Sequence, residues 1–127
     1  MNENTSRRVI GCAVRVSKEL GHGFLEKVYE QALAMELGED GIRFERQRLL
    51  PVRYRGRVIS EYCCDFIVND ELLLELKAVS RLTPIHEAQL MNYLKATGVT
   101  VGLLLNFGRP KLGIKRIVNN YDDGSAI

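Results

Sequence analysis

The chain has 127 residues, 46% apolar and 27% charged, which suits one domain with its own core and excludes a fold that needs disulfides or metal to hold together. A net charge of +2, from 18 basic and 16 acidic side chains, excludes a protein that coats nucleic acid by bulk charge but allows a local basic patch. No apolar run is long enough to span a membrane, no signal peptide opens the chain, and Cys12, Cys63 and Cys64 make a poor disulfide framework, so a cytoplasmic location without a membrane partner is expected.

Helices come first. Val9, Ile10, Ala13, Val14, Val16 and Leu20 recur at helical spacing over Arg8 to Leu20, with Thr5 or Ser6 as N-cap. Leu20-Gly21-His22-Gly23 stops that helix. A second runs from Phe24 to about Gly38, on a stripe of Leu25, Val28, Tyr29, Ala32, Leu33 and Leu37. The period then changes. Arg43 to Tyr54 reads as a strand broken or bent at Pro51, Gly56 marks a turn, and Arg57 to Val68 and Leu72 to Val79 are two further strands. Thr83-Pro84 opens a third helix that stops before Gly98. Thr100 to Phe107 is an apolar strand, Ile114 to Val118 a short final one, and Asn119 to Ile127 a polar tail expected to fray. The order is ααβββαβ with a further β, a single α/β domain over residues 1–127.

The hairpin around Asn69-Asp70 carries the chemistry. A two-residue loop would pair Val68 with Glu71 and put Asp65 and Glu75 on opposite faces. A three-residue loop pairs Val68 with Leu72, so that Phe66 meets Leu74, Cys64 meets Leu76, and one face stays apolar throughout. The second register is preferred. It sets Asp65 opposite Glu75, with Lys77 two residues on along the same face, and opposed side chains have Cβ atoms roughly 4.5–5.5 Å apart. Two carboxylates at that range repel unless a proton or a cation lies between them. Hard carboxylate oxygens suit Mg²⁺ or Mn²⁺, which can polarise a phosphoryl oxygen and generate a hydroxide nucleophile.

Asp65 followed by Glu75-Leu76-Lys77 resembles the signature of the PD-(D/E)XK nuclease superfamily, with Cys64 standing where its proline does. Gly23-Phe24-Leu25-Glu26-Lys27-Val28-Tyr29 is similar to the GxxExxY motif that names a small bacterial family within it. Gln89-Leu90-Met91-Asn92-Tyr93-Leu94 resembles its QxxxY helix, and Leu103 to Gly108 its closing strand and loop. The likeness runs from about Arg8 to Val118. It implies a restriction-endonuclease-like core, a central mixed sheet of four or five strands flanked by helices. It also implies a site in which Asp65, Glu75 and the Leu76 carbonyl hold the metal with Glu26, Lys77 positions water, and Gln89 reaches in from the later helix.

Plainer readings stand beside these. Glu26 is also what a helix dipole favours in a first turn. Gln89 and Tyr93, four apart, also read as a packing pair, and His86 as a helix N-terminal histidine. Six arginines between Arg43 and Arg57 face only Glu45. Arg53, Arg55 and Arg57, with Arg81, Lys111, Lys115 and Arg116, are candidates for DNA phosphates, or charges that keep an edge hairpin soluble. Two functions fit: a metal-dependent phosphodiesterase acting on DNA, structured or branched DNA included, and a nuclease-like fold that binds nucleic acid or a protein with little turnover. A homodimer is expected for the first, because cutting two strands needs two sites.

Overall fold

The structure, a computed structural model, describes residues 3–119. Helix α1 (Glu3–Leu20) buries Val9, Cys12, Ala13 and Val16, which recur every three or four residues along one face. It starts before Arg8, so Thr5 and Ser6, expected as caps, lie inside the helix and are buried. Gly21 closes it at a φ of 71°, a left-handed conformation that costs glycine little. Helix α2 (Glu26–Glu39) follows. Tyr29 is fully buried and stacks on Phe107 with ring centroids 4.8 Å apart. Its hydroxyl donates to the Gly21 carbonyl at 2.7 Å and accepts the Phe24 N–H at 3.2 Å. These bonds tie down the turn and fix where α2 begins, and so where Glu26 stands. The apolar stripe of α2 is narrower than its sequence suggests: Leu25 is the N-cap and is 81% exposed.

Strands β1 (Phe44–Tyr54), β2 (Arg57–Val68), β3 (Leu72–Lys77), β4 (Val101–Asn106) and β5 (Gly113–Val118) form one sheet in that order. Only the β3–β4 pair is parallel, and α3 (Pro84–Thr97) makes its crossover. The expected order holds, the fifth strand is present, and the architecture is the restriction-endonuclease-like α/β fold. His86 serves the start of α3, accepting the Thr83 N–H on Nδ1 at 3.1 Å. Gly98, at a φ of 77°, ends it.

Helices α1 and α2 cover one face of the sheet, over Phe66, Val68, Leu72, Leu74, Leu76, Leu103 and Leu105. Helix α3 covers the other, over Leu50, Cys64, Ile67, Leu73 and Leu104. Strand β3 is therefore buried on both faces, which explains its unbroken Leu72-Leu73-Leu74 run. Each of those leucines contributes about 1.5–3 kcal/mol by leaving water.

The hairpin adopts the three-residue loop. Val68 pairs with Leu72 and Phe66 with Leu74, and Asn69 and Asp70 take φ angles of 53° and 55° in the turn. Two expectations need correction. Cys64 packs under α3, while Leu76 lies under α1 and α2, so the apolar face is not continuous through Cys64. The alternation breaks beside Gln47, which holds a φ of 51° in mid-strand between the Arg46–Phe66 and Arg48–Cys64 pairs. Nor does β1 break at Pro51, which pairs with Glu61; the irregularity falls at Val52/Arg53. Proline is tolerated there because β1 is an edge strand. The tail expected to fray lies, from residue 120 on, outside the described residues.

Candidate active site

The β2–β3 ladder stops at Phe66–Leu74, although the next opposed pair in register is Asp65 and Glu75. Beyond that point the strands part, and side chains replace the missing ladder bonds. The Asp65 N–H donates to Glu75 Oε2 at 2.9 Å, and the Leu76 N–H donates to Asp65 Oδ2 at 2.8 Å. Each carboxylate thus reaches across the fork to the other strand's backbone. In a strand, the N–H and C=O of one residue point to the same side. The Leu76 carbonyl therefore faces the fork too.

Glu75 is 6% exposed, on the α3 side of the sheet beside Leu104. Burial, reinforced by repulsion from Asp65, pushes its pKa up to about 8, against the pull of the Asp65 N–H and Lys77. Asp65 is raised as well, chiefly by burial and further by Glu30; the Leu76 N–H, Lys77 and Gln47 oppose the rise. Lys77 lies two residues beyond Glu75 on the same face, paired in register with Asn106. Asn106 is buried and clamps the chain leaving β3: its Oδ1 accepts the Val79 and Gly108 N–H groups, and its Nδ2 donates to the Val79 carbonyl, each at 3.0 Å. Gly108 packs so closely there that a Cβ would sit 2.3 Å from the Val79 oxygen.

Glu26 opens α2 and is exposed as a residue, yet its carboxyl is partly shielded. That shielding raises its pKa; Lys77 pulls it down, and Asp65 and Glu30 push it further up. It belongs to the same electrostatic cluster without completing a ligand set. Among the described residues, no group of three or more His, Cys, Asp or Glu side chains is placed to hold an ion. Helix α2 covers the face opposite the one Glu75 occupies, and from its start Glu26 still interacts electrostatically with Asp65, Lys77 and Glu75. Gln89 is also exposed, and no described hydrogen bond joins it to the carboxylates.

Three residues that the sequence did not single out for the site adjoin it. Tyr93, one turn beyond Gln89 on α3, has its pKa pushed up to about 12 by burial and by Glu75, so its hydroxyl stays protonated. Its ring meets Tyr62 edge-on with centroids 5.5 Å apart. Glu30, buried one turn after Glu26, bonds Arg46 at 2.8 Å and Gln47 at 2.9 Å, and so anchors β1 to α2 behind Asp65. Gln47 in turn supports the Asp65 carboxylate. A glutamate four residues after Glu26, with Arg46 as a counter-charge, was the available signal.

The basic residues do not form one stripe. Arg46 is spent on Glu30, Arg43 pairs with Asp70 at 2.9 Å, and Arg55 lies over Tyr54. Arg53, Arg55 and Arg57 are exposed at the far end of the β1–β2 ribbon. On β5, Lys115 and Arg116 point to opposite faces, because they stand opposite Leu104 and Leu103. Arg81 and Lys111 are exposed on loops.

The donor set can be tested against a hard cation. Two carboxylates and a backbone carbonyl converge on one fork, and each carboxylate has acceptor capacity beyond the bond it makes. Mg²⁺ commonly takes one or two protein carboxylates and keeps several waters, so this set fits it.

A model of the PD-(D/E)XK nuclease superfamily matches residues 3–117. None of the curated proteins compared matches. Among solved structures, SSO0001 superposes with a TM-score of 0.60 at 19% identity, covering 78% of this chain; this chain spans about half, 52%, of that one. An alkaline exonuclease from Laribacter hongkongensis, LHK-Exo, superposes at 0.51 with 16% identity, over 98% of this chain and 84% of its own. The same exonuclease in complex with dAMP gives 0.50 at 14% identity, over 97% and 84%. At these identities the likeness is one of fold.

Proposed function

The chain belongs to the PD-(D/E)XK nuclease superfamily, and we propose that it is a metal-dependent deoxyribonuclease, related to the GxxExxY group, that hydrolyses phosphodiester bonds of DNA. The observation that carries this reading is the fork. Two carboxylates cross between parted strands, one of them almost fully buried with its pKa near 8, and one cation, Lys77, follows on the same face. Burying opposed carboxylates opposes folding, and structures retain such costs where a site needs them. The GxxExxY assignment rests on Tyr29, whose hydroxyl closes the turn that presents Glu26.

Asp65, Glu75 and the Leu76 carbonyl would hold Mg²⁺ or Mn²⁺, which supplies positive charge to a phosphoryl oxygen and lowers the pKa of water. Lys77 Nζ orients the attacking water and offsets charge that builds on the phosphate during attack. Glu26, at the start of α2, would act on the same ion from the α2 side through water. Tyr93 offers a protonated hydroxyl beside Glu75, and Gln89 lies at the rim, where substrate can reach it.

The binding-module reading has one observation in its favour: among the described residues, the acids do not form a closed three-carboxylate cage. Incubation with linear, nicked and branched DNA in Mn²⁺ separates the two. The nuclease reading expects cleavage by the wild type and none by Glu75→Gln, with both proteins folded. Equal cleavage by the two, or none by either, refutes it.

A further inference from the structure

Along α3, from the fork towards the far end of the β1–β2 ribbon, runs a groove of about 570 Å³ that the catalytic reading leaves without a role. Leu50 forms part of its apolar floor, Tyr62 and Tyr93 stand on its wall, and Arg53, Asn92 and Lys95 line it. We propose that this groove seats the unpaired DNA strand leading away from the bond being cut, with a base on Tyr62 and a phosphate at each of Arg53 and Lys95. The inference rests on the nuclease reading for its substrate class and goes beyond it in assigning a subsite.

Four observations point to that occupant. The volume lies in the range of small-ligand sites. Tyr62 is 50% exposed and meets Tyr93 in a T-shaped contact at 5.5 Å, so half-open ring surface is held beside a fixed neighbour in the groove. Bases stack on such rings with little regard to sequence. Neither Arg53 nor Lys95 takes part in a described salt bridge, whereas Arg43, Arg46 and Arg48 of the same ribbon do. Two cations and an apolar floor complement a strand with anionic links and flat bases. Finally, Tyr93 belongs both to the groove and to the surroundings of Glu75, so an occupant abuts the fork. A base within a duplex presents only its edges, so the groove selects a frayed end, a flap or a single strand over intact double helix.

The test uses a fluorescein-labelled single-stranded thymidine oligomer, with anisotropy read in EDTA so that cutting plays no part. Tyr62→Ala should weaken binding roughly five- to hundred-fold, and Tyr62→Phe should restore it, as loss and return of one stacked base predict. Arg53→Ala combined with Lys95→Ala should flatten the slope of log affinity against log salt by about 1.4, for two phosphate contacts on a single strand. If Tyr62→Ala and the double variant bind like wild type with an unchanged slope, or if the wild type does not bind the oligomer, the groove assignment falls whatever the enzyme cuts. If binding follows the groove variants but no DNA is cleaved in Mn²⁺, the nuclease reading fails and the groove stands.

Discussion

Replacing Glu75 with glutamine should stabilise the metal-free protein, and increasingly so as the pH rises. The carboxyl sits at about 8 in the fold against 4.5 in its ordinary state. Between those values the folded chain holds a proton that the unfolded chain has lost, so stability is fully present below about pH 4.5 and drains away as pH rises towards 8. At about 1.4 kcal/mol per tenfold change in proton affinity, the whole effect has a ceiling of about 5 kcal/mol. Part of it is repulsion shared with Asp65, and local relaxation recovers more, so a gain of about 1–4 kcal/mol is expected for Glu75→Gln at pH 8.5. The amide keeps an oxygen to accept the Asp65 N–H, so that bond survives the substitution. For a chain of this size the gain corresponds to a rise in Tm of roughly 3–5 °C per kcal/mol. Thermal unfolding in EDTA, followed by circular dichroism from pH 4.5 to 8.5, measures it. The difference between variant and wild type should be near zero at the acid end and largest at pH 8.5. A difference that stays flat with pH, or a glutamine variant that melts below wild type at pH 8.5, refutes the claim that a buried charge strains this fork.

Three other outcomes follow from the same geometry. Lys77→Ala should leave the stabilisation by Mn²⁺ intact and lower turnover on DNA by about a hundred-fold or more, as loss of one charge-stabilising donor does; equal loss of metal binding would contradict its placing. Gly108→Ala should cost about 2–4 kcal/mol, because its Cβ would collide with the Val79 backbone, and chemical denaturation will show whether the loop can give way instead. Multi-angle light scattering at tens of micromolar should find a two-fold dimer if both strands of a duplex are cut, and a monomer with and without DNA would count against it.

The register of the hairpin was legible because three leucines and three β2 residues admit one parity only, and that parity carried Glu75 and Lys77 to one face with it. Tyr29 was legible through its motif but not in its role, since a hydroxyl bond to the Gly21 carbonyl leaves no periodic trace. What stayed hidden depends on departures from regularity. Gln47 in a left-handed conformation breaks the alternation beside Asp65, and no residue type at that position announces it. For that reason Cys64 was placed on the wrong face, and the crossing of the two carboxylates to opposite backbones was not foreseen. Glu26 entered the site through motif spacing, which gives order along the chain; that it approaches from the α2 side, near Glu30, appears only in three dimensions. Tyr93 was legible as the last residue of the QxxxY helix motif or as a packing partner of Gln89; its ring meets Tyr62, and its closeness to Glu75 follows from how α3 lies on the sheet.

The central claim is that Asp65 and Glu75 form a divalent-metal site across a strand fork, and thermal unfolding with and without Mn²⁺ tests it most directly. At a concentration about a hundred-fold above the dissociation constant, the ion should stabilise the wild type by about 2.7 kcal/mol. The gain should shrink as pH falls below about 8, because the ion must compete with the proton on Glu75. Asp65→Ala should show no such gain at any pH. If Mn²⁺ raises the melting temperatures of wild type and Asp65→Ala equally, the carboxylates of the fork do not hold the metal.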